Sequence, residues 1–353
     1  MSGPNHLPVI RGRGAQSNPA GRFERLSVER DDWVEELDPS PTTRLLVDAS
    51  RSVLTRNQSP DVGARVTLNP YRGCEHGCSY CFARPTHEYL GFSAGLDFES
   101  RILVKRDAPV LLRSELSNSR WTPETILMSG VTDPYQPAER RLGITRACLE
   151  VLRDFRNPVA VITKGRGVLR DADLLSELAG FEAALVLVSL TTLDRDLQKA
   201  LEPRAATPAQ RLEAIRQLTE AGVPVGVLVA PVIPGLTDHE IPALLDAAAQ
   251  AGALSAGWVL LRLPHGVKSL FEAWLRAHRP DRAERVLSRV RDLRGGALYD
   301  ARFGTRMRGQ GPWSLQLSRL FEVARSRVGL DAAPPRLSNR HFRRPGQLDL
   351  FGA

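Results

Sequence analysis

The chain has 353 residues, a net charge of +8 and only four cysteines, with 42% hydrophobic and 25% charged residues. That balance is the one expected of a soluble globular protein. It excludes a disulfide-stapled secreted domain, and with no apolar run long enough to span a bilayer and no apolar signal core, the expected location is the cytoplasm. The surplus of arginine favours a polyanionic partner such as DNA, although an arginine-rich composition alone accounts for it equally well.

Residues 1–60 read as a polar N-terminal extension. Gly12-Arg13-Gly14-Ala15 and Ser17-Asn18-Pro19 carry neither helical nor strand period, and Asp31 to Asp38 is acidic around Trp33. Such a segment wraps a domain edge or stays mobile. Val66-Thr67-Leu68 is a short strand that ends at Asn69-Pro70. The stretch Arg72-Gly73-Cys74-Glu75-His76-Gly77-Cys78-Ser79-Tyr80-Cys81-Phe82 follows at once and holds three of the four cysteines. Thiolates are soft ligands, suited to iron–sulfur clusters or zinc. A structural zinc site closes with four protein ligands. His87 is the available fourth donor, because His76 lies between two cysteines on a loop too short to aim it at the same ion.

Beyond this loop the chain alternates. Ile126-Leu127-Met128, Val159 to Thr163, Ala184 to Leu190, Val223 to Val229 and Gly257 to Leu263 read as buried strands. Ile144 to Phe155, Asp171 to Leu178, Thr207-Pro208 to Glu220 and His239 to Gln250 read as helices, the third opened by an N-cap threonine and a first-turn proline. Six strands joined by helices predict an α/β fold with a parallel sheet and right-handed crossovers. The loops after the strands then open on one end, which also carries the cysteines. Residues 61–265 form this core. Residues 266–330 are helical and basic, with Phe271, Trp274, Leu275, Val286, Leu287 and Val290 on the apolar side and Arg302, Phe303, Arg306 and Arg308 in a glycine-rich stretch. Residues 331–353 are a basic tail after a Pro334-Pro335 break.

The spacing Cys-x3-Cys-x-Tyr-Cys resembles the signature of the radical SAM superfamily. The resemblance implies a partial (β/α)6 TIM-type barrel with N- and C-terminal extensions. It also implies a [4Fe–4S] cluster held by Cys74, Cys78 and Cys81, with one iron open to the amino and carboxylate groups of S-adenosylmethionine. An electron, from a donor such as flavodoxin or ferredoxin, would then cleave the sulfonium to give a 5′-deoxyadenosyl radical. Glu202-Pro203-Arg204, Pro234-Gly235 and Leu261-Arg262-Leu263-Pro264 extend the likeness over residues 60–320 to the spore photoproduct lyase-like, DNA repair photolyase-like branch. The run Arg84 to Gly91 looks like a bacterial subgroup of it.

That branch implies further site residues. Besides the motif aromatic Tyr80, they are Ser129, Gly130, Thr132 and Asp133 for the methionine amino group, without the usual glutamate, and Lys164 and Ser189 for its carboxylate. Val229 and Ala230 would meet adenine through backbone. Local readings stand beside these: an Asp-Pro turn with its own capping at Asp133 and a strand-end hydrogen bond at Ser189. For hydrogen return, the spare thiol Cys148 lies within a helix, where a small buried residue is the plainer reading, and Tyr135 and Tyr89 are alternative relays. The implied activity is hydrogen abstraction from DNA or a nucleotide-like substrate in repair. A protein, RNA or small-molecule substrate, and a non-enzymatic iron–sulfur DNA-binding accessory, are the alternatives. The terminal Gln347-Leu348-Asp349-Leu350-Phe351 resembles the peptide by which bacterial repair proteins dock in the sliding clamp, with Arg336, Arg340, Arg343 and Arg344 placed to meet clamp-held DNA.

Overall fold

The computed structural model describes residues 9–23 and 42–345. Ten strands occur in it: β1 (Arg44–Val47), β2 (Leu54–Arg56), β3 (Val66–Leu68), β4 (Tyr71–Arg72), β5 (Arg101–Val104), β6 (Ile126–Met128), β7 (Val159–Thr163), β8 (Ala184–Ser189), β9 (Val225–Val232) and β10 (Ser255–Leu260). The main sheet runs β10-β9-β8-β7-β6-β3-β2. Its six strands from β3 to β10 are parallel, as the alternation predicts, and β2 is added antiparallel to β3. The fold is thus a partial TIM-type α/β barrel of six parallel strands. These strands are apolar on both faces because helices cover one side and the barrel interior the other. Val66, Leu68, Ile126, Met128, Val159, Val161, Val186, Val225 and Val227 are fully buried.

The extension before residue 61 is more structured than its composition predicts. β2 closes one edge of the barrel sheet, while β1 joins β5 and β4 in a separate three-stranded sheet. Both strands are only three or four residues long, too short to show a period of two. The acidic stretch around Trp33 and the clamp-like peptide Gln347-Leu348-Asp349-Leu350-Phe351 lie outside the described residues. The basic tail before that peptide runs across the end of the barrel where the strands begin. Ser338 N donates to the Glu182 carbonyl and Arg343 N to the Phe155 carbonyl. Arg340 pairs with Glu182 at 3.1 Å, Arg343 Nε donates to Asp154 O, and Arg344 donates to the Asn118 and Trp121 carbonyls. Three of the four tail arginines expected to face DNA are therefore bonded back onto the barrel, at the end opposite the cysteines.

Helix Ile144–Phe155 buries Ile144, Cys148, Leu149, Val151, Leu152 and Phe155 along one stripe, the i, i+4 and i+7 pattern of a surface helix. Helix Pro208–Glu220 starts with a capping box between Thr207 and Gln210, which satisfies two otherwise orphan backbone N–H groups. The basic region after β10 is two helices, Val267–His278 and Ala283–Leu293. Their apolar sides do not join the barrel core. They build a second core with Leu197, Leu201, Ile233, Leu261 and Leu263, and this core also contains Cys78 and Tyr80. Trp274 lies at its centre, 1% exposed, and its indole N–H donates to the Ala200 carbonyl at 2.9 Å.

Replacing a buried tryptophan by alanine removes its transfer free energy and leaves a cavity, together about 3–5 kcal/mol. Trp274→Ala is expected to lower the unfolding free energy by an amount in that range, read as a lower urea midpoint at unchanged m-value. It should also expose the cysteine loop, read as faster alkylation of Cys78 in the metal-free protein.

Candidate active site

The strands are parallel, so the loops after β3, β6, β7, β8 and β9 meet at one end. The cysteine loop lies across that end and nearly all of it is buried from Gly73 to Tyr80. Cys74, Cys78, Cys81 and Cys148 are free thiols. Burial, then Asp133, then Cys78 and Cys81 push the Cys74 thiol well up; burial and Glu202 push Cys78 up; burial pushes Cys81 up. The three motif cysteines thus sit close enough to oppose each other's ionisation, and a bound cation would release their protons. Among the described residues no three His, Cys, Asp or Glu side chains are gathered tightly enough for a single metal ion. His87 in particular donates from Nε2 to the Arg101 carbonyl at 2.8 Å, with its ring edge-on to Phe98. A polynuclear cluster spreads its ligands wider than one ion does. Three soft donors on one loop, with a fourth position left open, fit a [4Fe–4S] cluster better than a closed zinc site.

Three buried carboxylates hold the loop in place. Glu202 comes from the Glu-Pro-Arg stretch and reaches the Tyr80 hydroxyl, which donates to it. It also accepts from Thr191 Oγ1 at 2.7 Å and pairs with the fully buried Arg211. Burial alone would raise its pKa, but Arg211, Lys164 and the Tyr80 hydroxyl outweigh burial and hold it at about 2. The same stretch grips the loop backbone: Ser79 N donates to Leu201 O at 2.9 Å and Arg204 N to His76 O at 3.3 Å, while the Arg204 guanidinium pairs with Glu75 at 3.1 Å. Glu99 accepts from Arg84 at 3.0 Å, and Arg84 in turn donates to the Cys78 carbonyl at 3.0 Å.

Asp133 is the third carboxylate, and its capacity is fully used. Tyr135 N and Thr163 Oγ1 donate to one oxygen; Lys164 N and His76 Nδ1 lie at 2.7 and 3.3 Å from the other. Burial is outweighed by His76, the Lys164 amide and Thr163, and the pKa falls to about 2. Asp133 thus makes the capping contact of the local Asp-Pro reading through Tyr135 N, and is tied besides to His76, Thr163 and Lys164. Thr132 donates to the Gly73 carbonyl at 2.6 Å and accepts from Gln136 at 2.9 Å, keeping one lone pair. Ser129 and Gly130 are half-buried beside Asn69, and Ser129 Oγ lies 3.3 Å from Thr132 O.

Lys164 bridges the ends of β7 and β9. Its ammonium donates to the Ala230 carbonyl at 3.2 Å and lies 6.0 Å from the Tyr80 ring centre. It is near enough to Cys78 and Cys81 to oppose the rise in their pKa. Ser189, at the end of β8, is buried and its carbonyl accepts from Arg211 at 3.0 Å. Tyr80, Lys164, Ala230 and the cysteines thus share one neighbourhood.

The hydrogen-return candidates do not join it. Cys148 is fully buried in the barrel core, its pKa raised by burial and then by Glu139. Tyr135 is also in that core, its pKa raised by burial and then by Asp171. Tyr89 is 70% exposed, its ring tilted 40° against that of Phe23 at 5.0 Å between centres.

A second holding element was not legible in the sequence. Arg13, Gly14 and Ala15 are buried against the cysteine loop. Gly14 N and Ala15 N donate to Glu99 at 3.0 and 2.9 Å, and Arg13 donates to the Glu99 carbonyl at 2.8 Å. A Cβ on Gly14 would lie 1.6 Å from the Gly77 carbonyl oxygen. Gly77 itself has φ +65°, and a Cβ there would meet Glu99 at 2.3 Å. A glycine-rich, aperiodic stretch reads as a linker; its pairing to Glu99, more than eighty residues on, leaves no local signal.

Comparisons with known proteins give the family. The family model for the radical SAM superfamily matches residues 68–248. An uncharacterised protein of Mycobacterium tuberculosis is 38% identical over 242 residues, covering 67% of this chain and 70% of its own length. The chain belongs to the radical SAM superfamily. It is accordingly a radical SAM enzyme, the family whose chemistry uses a [4Fe–4S] cluster and S-adenosylmethionine. The radical SAM Nalpha-GlyT isomerase of Pseudomonas phage M6 is 28% identical over 182 residues, covering 51% of this chain and 36% of its own length. Spore photoproduct lyase complexed with a dinucleoside spore photoproduct has a similar fold, with a TM-score of 0.58 at 16% identity over 80% of this chain and 79% of that one.

Gly14→Ala is expected to lift the N-terminal segment off the cysteine loop, because neither backbone can retreat from a 1.6 Å approach. Limited proteolysis should then cut after Arg13 or Arg22 faster than in the parent protein, and iron bound per chain after reconstitution should fall by about half or more, on the order of the loss expected when a supporting shell is loosened.

Proposed function

We propose that this radical SAM enzyme acts by hydrogen abstraction on DNA or a nucleotide-like substrate, with Cys74, Cys78 and Cys81 holding the cluster. The observation that carries the reading is the convergence, on one barrel end, of three free cysteines, the Tyr80 ring and the Lys164 ammonium. When bound, the cluster and S-adenosylmethionine supply one-electron cleavage of the sulfonium and so a hydrogen-abstracting carbon radical. The chain's own residues bind, orient and shield. Lys164 is a point charge on a flexible stem, suited to a carboxylate, and from its rest on the Ala230 carbonyl it would neutralise the methionine carboxylate beside Cys78 and Cys81. Thr132 keeps a lone pair for the ammonium, beside the Asp133 carboxylate. Glu202 fixes Tyr80, so the ring stands as a wall of the site and its hydroxyl does not wander. Burial of the loop excludes water from the place where the radical would form.

The direction toward nucleic acid is supported by the net charge of +8 and by the fold shared with an enzyme solved with a dinucleoside. The fold alone does not carry a substrate. No described helix is long and apolar enough to cross a membrane. The docking peptide Gln347-Leu348-Asp349-Leu350-Phe351 is proposed on sequence to recruit the enzyme to the sliding clamp.

After anaerobic reconstitution and chemical reduction, the protein is expected to release 5′-deoxyadenosine from S-adenosylmethionine, faster when a damaged DNA is present. Lys164→Met should raise the KM for S-adenosylmethionine by about tenfold or more, the order for losing a charge-assisted contact, with iron content retained. Product formation that no nucleic acid accelerates would remove the substrate half of the proposal. For the peptide, Phe351→Ala should abolish binding to immobilised sliding clamp; unchanged affinity would remove the docking.

A further inference from the structure

Five aromatic side chains are exposed among the described residues: Tyr89 at 70%, Phe303 at 58%, Phe23 at 57%, Phe82 at 46% and Trp313 at 39%. Every one of them has a guanidinium over a face of its ring. Arg22 lies 5.0 Å from the Phe23 centre and 5.6 Å from that of Tyr89, Arg262 4.7 Å from Phe82, Arg306 4.5 Å from Phe303 and Arg289 3.7 Å from Trp313. An exposed aromatic normally hides an edge in the core; here each ring is covered by arginine and offered to solvent.

Four of the rings form one path past the cysteines. Phe82 directly follows Cys81. Its partner Arg262 follows β10 and donates to the Met307 sulfur at 3.7 Å, on the turn that carries Arg306 over Phe303. Three residues beyond Arg262, His265 lies 3.2 Å from Arg22, which covers Phe23 and Tyr89. The loop after the last barrel strand thus joins the Phe23–Tyr89 pair on one side to Phe82 and Phe303 on the other.

The charges decide what such a path can hold. Arg22 is paired with Glu88 at 2.5 Å and Arg306 with Asp61 at 2.5 Å. Arg262 has no carboxylate partner among the described residues, and its Nε is buried without a hydrogen-bond partner. Two of the three guanidiniums are therefore neutralised, and the path offers stacking faces more than bare charge. Duplex DNA presents phosphates outward and hides its base faces, so it gains little here. An unpaired strand presents both, and aromatic–arginine platforms beside a groove are how single strands are held without sequence readout.

We propose that Phe82, Arg262, Phe303 and Arg306, with Phe23 and Tyr89, form a stacking track for an unpaired nucleic-acid strand that leads its bases to the cysteine end of the barrel. This rests on the reading of a nucleotide-like substrate and narrows it to unpaired bases.

The test uses the full chain with its cluster reconstituted, and a fluorescent oligothymidylate, its RNA counterpart, the same DNA as a duplex, and a poly-glutamate peptide. Anisotropy should show the single strands bound at least tenfold more tightly than the duplex. Phe303→Ala and Arg262→Ala should each weaken single-strand binding about tenfold, the order for one base–aromatic stack. Phe303→Tyr, which keeps the ring face, should restore it and so exclude a merely misfolded variant. The DNA and RNA arms decide which sugar the track accepts. Equal binding of duplex, binding of poly-glutamate in preference to both strands, or parental affinity in Phe303→Ala would overturn the proposal. The outcomes separate from those for the enzymatic reading. Single-strand binding without stimulated S-adenosylmethionine cleavage leaves the track and removes the nucleotide chemistry. Stimulation by duplex with no single-strand preference does the reverse.

Discussion

Three thiols that must end near one another as thiolates cannot hold their own loop together. Each opposes the ionisation of the others, and the loop has no repetitive hydrogen bonding to resist that. The geometry must come from outside the loop, and here it comes from three buried carboxylates. Glu99 stands just before β5, Asp133 after β6 and Glu202 after β8. Each binds groups in the cysteine loop or the side chains that touch it. A buried carboxylate is a stiff support because leaving it uncompensated costs about 3–5 kcal/mol, so its partners are held to their positions. Glu99 has Arg84, Asp133 has His76 and two backbone donors, and Glu202 has Arg211. The site is thus a frame of ion pairs around a loop of free thiols.

The second core shows why the C-terminal helices belong to the site. They do not lengthen the barrel. They pack Phe271, Trp274 and Leu287 against Leu197 and Leu201, and that segment passes the constraint on through Leu201 O to Ser79 N and through Glu202 to Tyr80. Apolar packing sets the position of the Glu-Pro-Arg stretch to the density of a protein interior, and polar contacts transmit it over the last few ångströms to the cysteines. The N-terminal segment does the corresponding work from the other side through Glu99.

Much of this was legible before the fold was known, and the line between what was and was not is physical. The six barrel strands and helix Ile144–Phe155 carry strong periodicity or continuous apolar runs; the first four strands and the helix stand within one residue of their expected bounds, while β9 runs on to Val232 and β10 spans Ser255–Leu260 in place of Gly257 to Leu263. The cysteine loop is legible because its three cysteines are local. β1, β2 and β4 are too short to show a period. The roles of Arg84, Glu99 and Arg211 depend on partners brought together by folding, and a buried arginine is indistinguishable in sequence from the many on the surface. Asp133 was half legible: its capping contact with Tyr135 N is local, but the donors from Thr163, Lys164 and His76 arrive from other elements, and no spacing rule counts those.

Three carboxylates beside an electron-rich centre would, if bare, make its reduction harder and repel a carboxylate-bearing cofactor. Glu202 does add to the rise in the Cys78 pKa, and Asp133 to that of Cys74. Yet each is matched by a donor or cation, Arg84, His76 or Arg211, and Lys164 stands beside Glu202 and the two later cysteines. What the loop feels is then a set of oriented pairs, whose fields fall off faster than those of single charges. Lys164 is the one cation of the set whose ammonium rests only on a neutral carbonyl, so it can turn to an incoming carboxylate without breaking an ion pair. The frame keeps its own charges balanced, and the group left free to respond is the one beside Tyr80 and the cysteines.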